Sequence, residues 1–193
     1  MSKYTKRWTA SSKRHVGNSL RSYFRFKALH GDNTVGLSAA IPVVAQWRLA
    51  RWPIGISANE TARLLDAFNR DSPTGKRDYA IMRCFVDLGL RTSEVAALTL
   101  DDIDWQQGLI YIRGKGRRVD VLPLPKTTGR SIVAYLCHGR SQTGNRALFL
   151  RHRPPLHMAA TPCIVRSAVC YAAKRCGVER CLHEPLLFRL PAV

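Results

Sequence analysis

The apolar positions of this chain change period along its length, and each change predicts a different kind of element. Over residues 18–29 they recur at helical spacing. Leu20, Tyr23, Phe24 and Leu29 share one side, while Arg21 and Arg25 lie four apart on another. The pattern predicts a helix that packs on a neighbour and faces phosphate at once. The first dozen residues of the chain look frayed, and residues 31–53 carry the Gly, Asp, Asn and Pro positions of turns and a linker. Trp47 and Trp52 are expected to anchor that linker on something apolar.

A new unit starts at Ser57. Ser57-Ala58-Asn59-Glu60 has the spacing of a capping box, in which hydroxyl and carboxylate satisfy amides at a helix start. Leu64, Leu65 and Phe68 continue that helix on one face. Residues 77–88 are apolar nearly all round, with Tyr79, Ile81, Met82, Phe85, Val86 and Leu88, which predicts a central buried helix. Gly89 is its natural stop, because glycine takes the left-handed conformation after a helix at little cost. A short helix is expected over 92–98.

The period then falls to two. Residues 109–113 and 118–122 flank Gly114-Lys115-Gly116, a hairpin signal with glycines at the bend. Asp101, Asp102, Asp104 and Trp105 read as the loop before it. Residues 131–137 are helical, and 148–150 form a short strand expected to share a sheet with the hairpin. Thr161-Pro162 opens a last helix with a cap and proline at the first position. Ile164, Val165, Ala168, Val169 and Ala172 form its buried stripe, and Gly177 closes it. Beyond Gly177 the pattern makes little structural sense, with Pro185 and Pro191 interrupting it. No internal repeat is present. The expected fold class is mainly α with a small antiparallel β-sheet (α+β), in two parts, residues 1–52 and 53–193.

Charge turns this fold toward polyanions. Lys and Arg number 31 against 13 Asp and Glu, a formal net charge of +18. Such an excess attracts nucleic acid through a long-range field and supports salt-sensitive phosphate contacts. It is uneven: residues 1–52 hold ten basic side chains and one acid, Asp32. No apolar run approaches the ~18–20 residues that span a bilayer, so no membrane partner is expected. The basic start leads into no apolar run and no small-residue cleavage site, and a cytoplasmic place is expected. Of the six cysteines, no two have the two-residue spacing of a zinc turn. Free thiols are therefore expected, with Cys163 and Cys170 on one helix face in the core, and no metal.

Two positions are candidates for chemistry. Arg91 follows a buried helix and its glycine stop and directly precedes a helix start, where a planar guanidinium and free amides suit phosphate oxygens. Glu94, three residues on, is placed to hold it. Lys115 lies between two glycines at a hairpin tip with Arg113, Arg117 and Arg118 around it. An ammonium there suits proton donation to a leaving alkoxide, which arginine does poorly. Spacing alone favours an ordinary loop arginine in one case and an ordinary basic turn in the other.

Their order gives them more weight. Asp78-Tyr-Ala-Ile, then Asp87-Leu-Gly-Leu-Arg-Thr-Ser-Glu-Val-Ala-Ala-Leu-Thr-Leu-Asp-Asp-Ile-Asp104, then Ile112-Arg-Gly-Lys-Gly-Arg-Arg118 and Leu122-Pro-Leu124 resemble the tyrosine recombinase (phage integrase) catalytic domain. The resemblance runs from about residue 56 to 177. Ser19-Leu-Arg-Ser-Tyr-Phe-Arg25 is similar to the end of that family's helical, SAM-like core-binding domain. The resemblance implies transesterification without metal, ATP or other cofactor, and no small-molecule substrate. In the family a tyrosine hydroxyl attacks the scissile phosphate to give a 3′-phosphotyrosyl link. Two arginines and a histidine stabilise the charge that develops, and the hairpin lysine protonates the departing 5′-oxygen. Arg91 matches the first arginine, Glu94 its acidic companion and Lys115 the lysine. Double-stranded DNA is the implied partner, contacted by Arg21, Arg25, Lys27, Arg113, Arg117 and Arg118, with other recombinase subunits as further candidates.

The sequence departs from the family's pattern after residue 177. At His183-Glu184-Pro185-Leu186 leucine stands where the second arginine belongs, and Arg189 lies at the wrong offset. Tyr111 falls in a strand, Tyr135 in a helix and Tyr171 in a buried-looking helix, none in the nucleophile's context. The expectation is a site-specific recombinase piece shortened at both ends, with an aberrant tail after about residue 177. It keeps a remnant of the core-binding domain over residues 1–52 and binds DNA without cutting it. Loss of the family's last helices is expected to leave apolar surface open on residues 77–88 and 161–176. A regulator of a full-length recombinase, or a basic nucleic-acid-binding module of other ancestry, are the competing readings.

Overall fold

Capping residues decide where the helices of this protein begin and end. The computed structural model describes residues 8–43, 56–114, 116 and 118–178. The chain divides into two units, Met1–Trp52 and Pro53–Val193.

In the first unit, α1 spans Ala10–Leu29. It starts within the stretch expected to be frayed because the Thr9 hydroxyl accepts from the Ser12 amide at 3.2 Å. A second short helix, α2 (Val35–Ala39), interrupts the region expected to be turn and linker. The Thr34 hydroxyl donates to the Phe24 carbonyl at 2.9 Å and so fastens the start of α2 to α1. The apolar side of α1 is less covered than its spacing suggests: Leu20, Tyr23 and Leu29 are 42%, 54% and 81% exposed. Trp47 and Trp52 lie outside the described residues.

The second unit holds a continuous core. Its first helix, α3 (Ala58–Asp66), carries the complete Ser57–Glu60 capping box, with the Ser57 amide 2.9 Å from the Glu60 carboxylate. The central helix, α4 (Pro73–Leu88), starts four residues earlier than its apolar run suggested, at the cap Ser72 and Pro73. Gly75 is obligatory in its first turn, since a Cβ there would lie 1.7 Å from the Asn69 carbonyl oxygen. Gly89 ends α4 in the left-handed conformation, φ 62° and ψ 27°. Ile81, Met82, Cys84 and Phe85 of α4 are buried, as the all-round apolar pattern predicted.

After α5 (Thr92–Ala97) and a single 3-10 turn come β1 (Ile103–Asp104), β2 (Leu109–Arg113) and β3 (Val119–Pro123). They form an antiparallel sheet in the order β1-β2-β3, with Ile103 opposite Ile110 and Arg113 opposite Val119. β1 replaces part of the expected loop. Residues 148–150 do not join this sheet. Their neighbours make isolated bridges instead, Thr99 with Ala147 and Leu150 with Ala159. Side chains hold the segment: Arg77 Nη1 donates to the Leu150 carbonyl at 3.0 Å, and the Leu150 amide donates to the Tyr135 hydroxyl at 3.1 Å.

Helix α6 (Lys126–His138) packs along α4, and α7 (Pro162–Cys176) packs on α3, α4 and α5. Thr161, Pro162 and the left-handed Gly177 bound α7 as expected, and Val165, Ala168, Val169 and Ala172 form its buried stripe. Three expectations are corrected. Cys163 is exposed, so it shares no core face with Cys170. Tyr171 is 67% exposed. The apolar surface expected on residues 77–88 and 161–176 is largely covered: among the described residues α4 exposes no large hydrophobic side chain, and α7 exposes Tyr171. Among the described residues Cys84 is the buried thiol of the core, and burial pushes its pKa up to about 12, so it is no nucleophile.

Candidate active site

Arg91 is placed by the two helices it connects. From Gly89 the chain passes through buried Leu90 to Arg91, which occupies the position preceding α5 with φ −78° and ψ 155°. The Glu94 carboxylate holds it twice, accepting from the Arg91 amide at 2.7 Å and from Nη1 at 2.6 Å. One acid therefore caps the helix and fixes the guanidinium. The Arg91 side chain stays 55% exposed, against 12% for Glu94, which leaves part of its fork open to solvent.

Arg91 lines a cleft of about 630 Å³ whose other wall is the β2–β3 hairpin, through Ile112, Asp120, Val121 and Leu122. Two buried or half-buried acids set the spacing of those walls. Asp87, in the last turn of α4, accepts from Arg83 Nη2 at 3.2 Å, from the Thr127 hydroxyl at 3.1 Å and from the Thr128 hydroxyl. It thereby ties the turn before Arg91 to the first turn of α6, directly after β3. Asp102, 3% exposed, accepts from the Thr99 amide at 2.8 Å, the Thr99 hydroxyl at 2.7 Å and Arg113 Nη2 at 2.9 Å. That pins the end of β2 from the opposite edge.

The residues singled out from the sequence separate into groups. Arg91 and Glu94 are together. Arg113 is 62% exposed and paired to Asp102, and Arg118 is exposed, its carbonyl accepting from the Gly114 amide at 2.8 Å. Lys115 and Arg117 lie outside the described residues; Gly116 between them has φ 79°. In the other unit, Arg21 donates Nη2 to the carbonyls of Ile41 and Pro42, at 3.1 and 3.3 Å, which turns it inward. Arg25 is exposed, and Lys27 pairs with Asp32. Sequence reasoning missed Asp87, Asp102 and Asp120. Thr99-x-x-Asp102 carries a capping-type spacing that could have marked Asp102; Asp87 has a local partner in Arg83, but its threonine partners on α6 are forty residues away and leave no local signal. Among the described residues no group of three His, Cys, Asp or Glu is placed to hold a metal ion. No helix among them is long and apolar enough to cross a membrane.

This arrangement of helices around a three-stranded sheet is that of tyrosine recombinase catalytic domains. Of the solved structures it resembles, a lambda integrase dimer bound to a COC′ core site superposes with TM-score 0.69 at 18% identity, covering 90% of this chain and 48% of that one. The pre-cleavage complex of XerH recombinase with difH also gives 0.69, at 17% identity, covering 96% and 54%. Residues 55–182 match the phage integrase family. The chain belongs to that family, the tyrosine recombinases. It is 42% identical over 164 residues to y4rA, a candidate integrase/recombinase of Sinorhizobium fredii, covering 85% of this chain and 40% of that protein. It is 36% identical over 122 residues to the tyrosine recombinase XerA of Thermococcus kodakarensis, covering 63% and 40%. The chain thus spans about 40% of the length of these curated relatives.

Proposed function

We propose that this chain binds duplex DNA as part of a site-specific recombinase, with Arg91 on a backbone phosphate and Lys115 approaching from the hairpin. Residues 1–52 act in this reading as the end of a core-binding domain, where the exposed Arg25 is the best-placed contact of the three named on α1. The observation that carries the reading is the half-exposed Arg91 guanidinium, locked on one side by Glu94 and facing the hairpin across an open cleft. A fork held in this way accepts phosphate oxygens without first losing its own conformational freedom. The net charge of +18 supplies the attraction that brings DNA to it.

These 193 residues hold neither a matching second arginine nor a tyrosine in the nucleophile's context. Tyr135 is buried with its hydroxyl committed to Leu150, and Tyr111 lies within β2. Tyr171 is exposed, but it belongs to α7 and lines a different cavity from Arg91. The proposal is therefore binding without strand cleavage by this chain alone. Fluorescence anisotropy with duplex DNA across a salt series tests the first part. Arg91→Ala is expected to weaken binding and reduce the salt slope by about one. Equal affinity for RNA, with no change in Arg91→Ala, would overturn it. A suicide substrate tests the second part, where a covalent protein–DNA adduct would sink the claim.

A further inference from the structure

The amino-terminal end of α4 carries a second basic cluster that the recombinase reading leaves unused. A cavity of about 340 Å³ opens there, where the first turns of α4, the segment after Leu150 and α7 meet. Arg77, Asp78, Arg151, His152, Arg153 and Tyr171 contribute to its lining. Its size is at the small end of ligand pockets, which run from roughly 300 to 1,000 Å³. Arg77 and Leu88 are eleven residues apart on one helix, so at 1.5 Å per residue this cavity lies about 17 Å from the Arg91 cleft.

The charges in this cavity do not balance. Asp78 is the acid among its described lining residues, and it is already matched. Its carboxylate accepts from Arg77 Nε at 2.8 Å and Nη2 at 2.7 Å, while Arg77 Nη1 is committed to the Leu150 carbonyl. That leaves Arg151 and Arg153. Arg151 donates Nη2 to the Pro154 carbonyl at 3.3 Å, and its Nε is shielded from solvent with no hydrogen-bond partner among the described residues. Arg153 is exposed, and no salt bridge engages it among the described residues. The Nε2 of His152 is likewise shielded and without a partner among the described residues.

Two uncompensated guanidinia lining one cavity repel. Arg77 is explained by the fold, since it neutralises Asp78 and anchors Leu150. Arg151, His152 and Arg153 have no such account. One ligand class resolves the charge: a compact oxyanion with several acceptor oxygens, which guanidinia recognise with forked hydrogen bonds. The exposed Tyr171 at the rim offers a phenolic hydroxyl to the same group.

We propose that this cavity binds a phosphate-type oxyanion, with Arg151 and Arg153 as its charge partners and Tyr171 as a hydrogen-bond donor. The site does not depend on the role given to Arg91. The phosphate has two conceivable sources, free in solution or carried by DNA, and the experiment separates them. The full chain carrying Arg91→Ala, which removes the cleft as a competing anion site, is titrated with inorganic phosphate at constant ionic strength. Its melting temperature is followed, with chloride as the control. A saturable rise that chloride does not reproduce is expected. Adding Arg153→Ala should weaken the apparent affinity by about tenfold, and Tyr171→Phe by a smaller factor. Both residues are exposed, so neither change removes core packing, and their melting temperatures without phosphate should match the parent. A rise equal to that from chloride, or one retained with both substitutions present, overturns the proposal. Repeating the titration with a short duplex identifies the source. A comparable loss on Arg153→Ala assigns the phosphate to DNA; an unchanged duplex affinity beside a lost phosphate response assigns it to a free ion.

Discussion

Two arginines fourteen positions apart bracket the central helix, and they have opposite fates. Arg77, in the first turns of α4, has a side chain only 7% exposed, with its donors spent on Asp78 and the Leu150 carbonyl. Arg91, just past the end of the same helix, is 55% exposed and gives one side-chain donor to Glu94. Both are paired with a carboxylate close in sequence. What separates them is where their remaining donors point. That of Arg77 meets the buried Leu150 carbonyl, so the residue is structural. Those of Arg91 meet an open cleft, so the residue is available to a ligand. A buried ion pair is costly to break from one side, whereas an exposed one contributes little to folding.

This contrast is tested most severely at Arg77. Arg77→Ala leaves the Asp78 carboxylate buried without its cation and the Leu150 carbonyl without its donor, and a loss of about 3–5 kcal/mol is expected in urea unfolding. Asp78 already titrates above the ordinary carboxylate range because burial outweighs the pull of Arg77. The variant should therefore be least impaired at acid pH, where Asp78 takes a proton. A loss below about 1 kcal/mol would mean that the pair does not hold the segment, and the contrast would fail.

Tyr135→Phe probes the same anchor from its other side. The Leu150 amide loses the hydroxyl that accepts from it at 3.1 Å and stays buried, so about 1–3 kcal/mol of destabilisation is expected. Full stability in this variant would show that the bond from Arg77 alone suffices. At the exposed end of the contrast, Arg91→Ala should change unfolding free energy by no more than about 1 kcal/mol while still weakening DNA binding. A larger destabilisation would move Arg91 into the structural class with Arg77.

The smallest effect concerns His152. Burial, and secondarily the Arg77 charge, holds its pKa below 6.5, so the folded chain disfavours a proton that the unfolded chain accepts. Its contribution to stability is then present above about pH 6.5 and is lost as pH falls toward the folded value. Thermal melts in a chloride buffer from about pH 7.5 to about 5.5 should decline more steeply for the parent than for His152→Gln. Parallel curves would show that the histidine does not sense its surroundings.

Much of the fold was legible because its signals are local. Ser57 and Glu60, Gly89, Thr161 with Pro162, and Gly177 all act within a turn of themselves, and each helix boundary they predicted is observed. The starts of α1 and α4 were misread where a cap, Thr9 or Ser72, stands well before the first apolar residue. Tyr171 was read only as part of a buried-looking helix, and the structure leaves it 67% exposed. At 3.6 residues per turn it falls roughly 110° from the centre of the stripe of Val165, Ala168, Val169 and Ala172, on the open side of α7.

Part of the candidate site was legible in the same way. Arg91 and Glu94 are three residues apart at a helix start, and they meet as that spacing requires. The other wall of the cleft is a hairpin twenty to thirty residues on, and no local rule brings it opposite Arg91. The clamps at Asp87 and Asp102 depend on side chains that converge only when α4, α6 and β2 are packed.

The sequence by itself determined the caps, the helix and strand periods, the positive charge and the ordered set of motifs that places the chain among tyrosine recombinases. All of these are read from neighbours along the backbone, where a few residues decide the free energy. Only the tertiary structure decided which charges are spent and which remain open. It sent Arg77 inward and Arg91 outward, and it left Arg151, His152 and Arg153 around a cavity with no free acid among its described residues. The reason is physical: whether a charged group is used up depends on which partners reach it through space, and packing alone assigns those partners.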